Sequence, residues 1–128
     1  MPMAGANEAV QKPRLRAYCA GRKAEMIAAV LLRLKGSRIL ARDYRAGVGE
    51  SDIMARQGQL LVVVEMKRRR DVASALAVVT TRQQRRIARA AEAFMARNSG
   101  LGELDARFDV IVALPHRPPK GIKDAWRL

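Results

Sequence analysis

The sequence predicts an α/β fold with the element order α-β-β-β-α-β, and three observations carry that prediction. Two segments repeat apolar residues at the 3.6-residue period of a helix, one on each side of a block of short strand-like runs. Within that block, LLVVVEMK at residues 60–67 is apolar at successive positions until its end, the mark of a central strand covered on both sides. A further strand-like run, RFDVIVAL at residues 107–114, follows the second helix.

Taken in order, residues 1–13 hold two prolines, small and polar residues and no periodicity, and are expected to form a flexible tail. Residues 14–128 are expected to form a single domain, because halving 128 residues would leave each part too small to bury a useful core. The first helix starts between Leu15 and Arg22 and runs to Lys35. Ala24, Ile27, Ala28, Leu31 and Leu34 recur at helical spacing, and Gly36 supplies the stop. RILARDYR, residues 38–45, reads as a strand, followed by the glycine-punctuated AGVG. ESDIMA, residues 50–55, leads through Arg56-Gln57-Gly58 into the central strand. The basic run from Arg68 and the small residues through Ser74 read as a loop. Thr80 or Thr81 caps the second helix, which continues to about Asn98-Ser99-Gly100. Its apolar stripe is Ile87, Ala90, Ala91, Phe94 and Met95, with Arg82, Arg85, Arg86 and Arg89 on the other side. PHRPPKG is a loop, and IKDAWRL ends the chain as a short strand or cap.

Charge narrows the function. Twenty-five Lys and Arg against 12 Asp and Glu give a net charge of +13, a field that attracts polyanions. Nineteen of the cations are arginines, which suit bidentate phosphate contacts. Nucleic acid is therefore the expected partner, ahead of a membrane surface or an acidic protein. No apolar run approaches the roughly 20 residues of a membrane span, and the N-terminal stretch lacks a hydrophobic signal segment. Cys19 is the sole cysteine, which fits a reducing compartment, and a cytoplasmic location is expected. His116 is the sole histidine, so multi-histidine zinc sites and histidine triads are disfavoured. Hydrolysis, if any, would need carboxylates and a metal.

The sequence offers such carboxylates. Strand alternation puts Glu65 and Lys67 on one face. A two-residue turn at Gln57-Gly58 would pair Asp52 with Val63 and leave Glu65 a diagonal neighbour; a four-residue turn would pair Asp52 directly with Glu65. A three-residue turn would put the acids on opposite faces. With an even turn the two β-carbons lie roughly 5–8 Å apart, and the carboxylates repel unless a cation sits between them. Mg²⁺ or Mn²⁺ fits, filling its remaining positions with water and substrate phosphate, and Lys67 would stabilise charge on that phosphate. Taken alone, an E-x-K is also the pattern of strand-end residues that merely reach solvent.

From Gly21 to Trp126 the pieces GRKAE, ILARDYR, GESD, VVVEMKRR, VTTRQQRRIARAA and RFDVIV arrive in order. In them the chain resembles the YraN-like family of predicted nucleases. The resemblance implies a restriction-endonuclease-like fold, a mixed central sheet flanked by helices, similar to that of Holliday-junction resolvases. It also implies that Asp52 and Glu65 bind metal, that Lys67 is the active-site lysine and that Glu25 is a first-helix acid joining the pocket. Glu50 is a candidate to support the metal or to pair with an arginine, and Gln83 or Gln84 to line the pocket. The chain departs from the family pattern at Ser51, where an apolar residue is usual, at Asp43, where asparagine is common, and at Gln83, where a lysine is expected.

For holding nucleic acid, the candidates are Arg68, Arg69 and Arg70 beside the pocket, the helix arginines Arg82, Arg85, Arg86 and Arg89, and Arg42 and Arg45. Aromatic residues are few, so a stacking platform for single strands is disfavoured and a duplex or branched shape is expected. As the partner, DNA is expected ahead of RNA. The expected function is a divalent-metal-dependent endonuclease or resolvase-type phosphodiesterase without strong sequence preference. The alternative is a non-catalytic nucleic-acid-binding module on the same scaffold. Cutting two strands would call for a symmetric homodimer, although no dimer patch is visible in the sequence.

Overall fold

A computed structural model describes residue 29, residues 31–33 and residues 35–127. Seven elements follow one another: β1 (Arg38–Ala46), β2 (Gly49–Gln57), β3 (Leu60–Arg68), α1 (Val72–Ala77), α2 (Thr81–Arg97), β4 (Asp105–Ala113) and β5 (Lys120–Trp126). They build one mixed five-stranded sheet of order β1-β2-β3-β4-β5, antiparallel except for the parallel pair β3 and β4. Parallel neighbours need a crossover, and α1 and α2 supply it. This is an α/β core of the restriction-endonuclease-like αβββαβ topology.

Of the expected first helix, Ala29 and Leu31–Arg33 are described and are helical. Its start, Glu25, and the expected tail at residues 1–13 lie outside the described residues. The helix ends as the glycine predicts. Gly36 takes φ +86°, its N–H donates to Arg33 O at 3.0 Å and that of Ser37 donates to Leu32 O at 2.9 Å. These two bonds satisfy carbonyls that a helix C-terminus otherwise orphans.

The central strand is covered as its sequence requires. Leu61 and Val63 face a core made with Met54, Ile87, Ala90, Phe94, Val110 and Val112, under α2. Val62 and Val64 face the other way, with Ile53, Ala55, Ile111 and Leu32 of the first helix. Side chains of this size each stabilise the fold by about 1.5–3 kcal/mol when fully buried. Among the described residues no helix is long and apolar enough to cross a membrane.

One expectation needs correction: residues 68–74 are not all loop, because α1 begins at Val72, with Asp71 as its N-cap accepting from Ser74 N–H at 2.7 Å. Of the two readings of the C-terminal IKDAWRL stretch the strand is the one found: β5 starts at Lys120, in the last two residues of the expected PHRPPKG loop, and pairs with β4 along Val110↔Ile122 and Phe108↔Trp126. The second helix is as expected, with Thr80 as the cap and its hydroxyl accepting from Gln83 N–H at 3.2 Å.

Candidate active site

The β2–β3 turn decides whether the acids meet. Gln57 pairs with Leu60 and Ile53 with Val64, so the turn is the two residues Gly58-Gln59. Gly58 at φ +60° supplies the left-handed conformation at the first turn position. The turn is two residues long but sits one residue later than Gln57-Gly58, and continuing this register places Asp52 opposite Glu65. Both belong to the face of Met54 and Val63, beneath α2.

At that point the regular ladder stops, and the carboxylates take over its hydrogen bonds. Asp52 N–H donates to Glu65 Oε2 at 3.3 Å, and Met66 N–H donates to Asp52 Oδ2 at 2.8 Å. Each carboxylate thereby spends one oxygen on the opposite backbone. The exchange fixes the two acids against each other across the strand pair.

Around them lies a cleft of about 320 Å³, lined from β1 and β2 by Asp43, Arg45, Glu50, Ser51 and Asp52, from β3 by Glu65, Met66 and Lys67, and from α2 by Gln83, Arg86 and Ile87. Gly49 brings the last group close. It is buried, and a Cβ there would overlap the carbonyl oxygen of Arg86. Only glycine lets the hairpin approach the helix backbone so nearly. In the amide orientation that satisfies both its ends, Gln83 accepts from Lys67 Nζ at 3.2 Å and donates to Val78 O at 3.2 Å. Lys67 is thus held from above by an uncharged partner, where a lysine at position 83 would repel it.

Electrostatics follow from burial. Glu65 is only 4% exposed. Its pKa is pushed up to about 8 by desolvation, then by the Asp52 charge. Burial also raises that of Asp52, against the lowering effects of the Met66 N–H and the Lys67 ammonium. At neutral pH the pair therefore carries a proton unless a cation takes its place.

The donor set fits a hard divalent ion. Two carboxylates from neighbouring strands, each with an oxygen not used by the backbone, match the one or two that Mg²⁺ takes from protein. Among the described residues no third Asp, Glu, His or Cys completes a three-ligand cluster.

Of the candidates named from sequence, Asp52, Glu65, Lys67, Glu50 and Gln83 converge on the cleft, with Arg45 and Arg86. Gln84 does not: its side chain donates to Val79 O at 3.1 Å. Arg42, Arg68–Arg70, Arg82, Arg85 and Arg89 are exposed but do not line the cleft. Glu25 is outside the described residues. Asp43 is a cleft residue that sequence reasoning noted only as a departure. It sits at φ +51° within β1 and pairs with Arg45 at 3.6 Å. Asparagine and aspartate are the side-chain-bearing residues that tolerate that left-handed backbone best, so Asp43 fits its place. Ser51, a second of the three departures, is buried but donates its hydroxyl to Ile53 O at 3.3 Å.

Comparison with known proteins bears on the whole of this arrangement. The family model described as "Uncharacterised protein family UPF0102" matches residues 24–113. A UPF0102 protein of Parvibaculum lavamentivorans is 44% identical over 113 residues, covering 88% of this chain and 85% of that protein. The UPF0102 protein mlr4633 of Mesorhizobium japonicum is 42% identical over 113 residues, 88% of this chain and 90% of its own length. The UPF0102 protein amb4503 of Paramagnetospirillum magneticum is 44% identical over 112 residues, 84% and 87% of the two chains. Strands β1 to β4, Asp52, Glu65 and the helix over the cleft all fall within residues 24–113, and the chain belongs to the UPF0102 family.

Proposed function

We propose that this protein is a divalent-metal-dependent phosphodiesterase acting on nucleic acid, with DNA as its substrate and little sequence preference. The observation that carries the reading is the juxtaposition of half-buried Asp52 and buried Glu65 across β2 and β3, sharing one cleft with Lys67. Asp52 and Glu65 would hold the ion, Mg²⁺ or Mn²⁺. Bound there, it would polarise a scissile phosphate and acidify a water. Lys67, steadied by Gln83, presents an ammonium to the same space and stabilises negative charge building on the phosphate oxygens. Glu50 and Arg45 face each other at the cleft mouth as a cross-strand pair, and Arg86 adds a guanidinium from α2. The restriction-endonuclease-like scaffold agrees with this chemistry by analogy, since fold alone does not specify activity.

The test is a panel of linear, nicked, flapped and four-way DNA incubated with Mg²⁺ or Mn²⁺. Wild-type protein is expected to cut at least one of them, and Glu65→Ala to cut none. Equal cutting by both proteins would remove the mechanism. Binding without cutting by either would favour a non-catalytic nucleic-acid-binding module.

A further inference from the structure

The loop between β4 and β5 was read from sequence only as a proline-bearing connection, yet the parallel pairing of β3 with β4 brings it to the end of the sheet where the cleft opens. Arg68 pairs with Ala113, and Arg69 N–H donates to Ala113 O at 3.3 Å, so the arginine run is stitched to the start of that loop. Across the loop, Lys120 pairs with Val112. Arg68, Arg69, Arg70, Arg117 and Lys120 are all exposed. Among the described residues none of them has a carboxylate oxygen within 4 Å, because the ion pairs formed are Arg45–Asp43, Arg107–Asp109 and Arg127–Asp124. The nearest acid in sequence, Asp71, is engaged as the cap of α1.

We propose that this end of the sheet is a docking surface for duplex DNA, with the β4–β5 loop as an arm that grips backbone phosphates through Arg117 and Lys120 beside Arg68–Arg70. The inference rests on the nuclease reading for its orientation, since the same end carries the acidic cleft. The floor of that cleft holds carboxylates that repel phosphate, so cations on the rim are needed to draw a strand over it. From β2 to β5 there are three inter-strand steps of about 4.8 Å, some 14 Å, or about four base-pair rises of 3.4 Å. Pro115, Pro118 and Pro119 restrict the loop, so little conformational freedom remains to be lost on binding. Tyr44 packs edge-on against Phe94, and Phe108 stacks on Trp126 with centroids 5.2 Å apart. These rings are taken up in packing, so the surface suits a duplex backbone better than unstacked bases.

The surface also discriminates among the arginines of α2. Ile87, Ala90, Ala91 and Phe94 turn towards the sheet, which sends Arg85 and Arg89 directly away from it, while Arg86 reaches the cleft. That contrast supplies a charge-matched control. Binding of a fluorescent duplex of about 20 base pairs and mixed sequence, followed by anisotropy in EDTA, is compared for Arg117→Ala/Lys120→Ala and Arg85→Ala/Arg89→Ala. The loop variant is expected to bind ten- to a hundredfold more weakly at about 0.1 M salt, with its log-log salt slope smaller by about two. The helix variant should change less than threefold. Equal weakening of the two variants, or an unaltered slope in the loop variant, would overturn the proposal. EDTA separates this result from catalysis. A wild type that binds through the loop but never cuts would remove only the nuclease reading, whereas a loop variant that binds as before would remove only the docking surface.

Discussion

Two buried carboxylates in this sheet meet opposite environments. Glu65 in β3 is 4% exposed and Asp109 in β4 is 5% exposed. Asp109 is saturated: Arg107 grips it through Nε at 2.8 Å and Nη2 at 2.7 Å, and Asp124 N–H donates to it at 2.9 Å. Glu65 has one long bond from Asp52 N–H, and the charge that acts on it most strongly is another acid. Similar burial thus yields a finished ion pair in one place and an unbalanced charge in the other. An ion pair of the first kind fixes a bulge, here the register shift between Phe108 and Val110. A deficit of the second kind marks a candidate functional site.

The largest contrast should appear in activity. Glu65→Ala is expected to lower cleavage at least a thousandfold, about 4 kcal/mol of barrier, while Asp109→Asn leaves the rate per folded molecule within about threefold; single-turnover cleavage of the preferred DNA measures both. Next comes pH. The folded state keeps a proton on Glu65 up to about pH 8, whereas the unfolded chain releases it near 4.5. Metal-free stability should therefore be greatest at low pH within that window and fall as pH rises through it, by on the order of a few kcal/mol. Urea denaturation in EDTA from pH 5 to 9 reads the slope, and Glu65→Gln should flatten it. A slope of the opposite sign would contradict the assignment of the proton.

Asp109→Ala should reverse the ranking in stability. It leaves the Arg107 guanidinium, 21% exposed, and the Asp124 amide without their acceptor. A loss of about 2–3 kcal/mol is expected in denaturant midpoints, against little or no loss for Glu65→Ala at pH 8. The smallest effect belongs to Gln83→Ala. It frees Lys67 rather than removing it, so kcat should drop about three- to tenfold with KM nearly unchanged. A Gln83→Ala variant with wild-type kcat would show that Lys67 needs no such support.

How far the sequence carried this picture varies by element. The unbroken apolar run in LLVVVEMK gave away the central strand, and a strand's period of two put Glu65 and Lys67 on a shared face. The partner face of Asp52 depended on turn length, which Gln57-Gly58-Gln59 leaves open until the backbone places Gly58 at positive φ. Helix α1 was missed because VASALA is short and weakly patterned, and its one signal, Asp71 three residues before Ser74, resembles any polar loop. The Arg107–Asp109 clasp has no local signature, because the second residue it holds, Asp124, is fifteen positions away. Pairing of β3 with β4 put Arg68 beside the proline loop, a long-range contact that no local pattern encodes.

In the proposed mechanism Asp52 and Glu65 exchange a shared proton for a divalent cation. Isothermal titration of Mn²⁺ at pH 7, repeated in two buffers of different ionisation enthalpy, measures binding and proton release together. Wild-type protein should bind the ion and release about one proton, and Asp52→Asn and Glu65→Gln should each lose that binding. Mn²⁺ affinity unchanged in both variants, or binding with no proton released, would contradict that exchange.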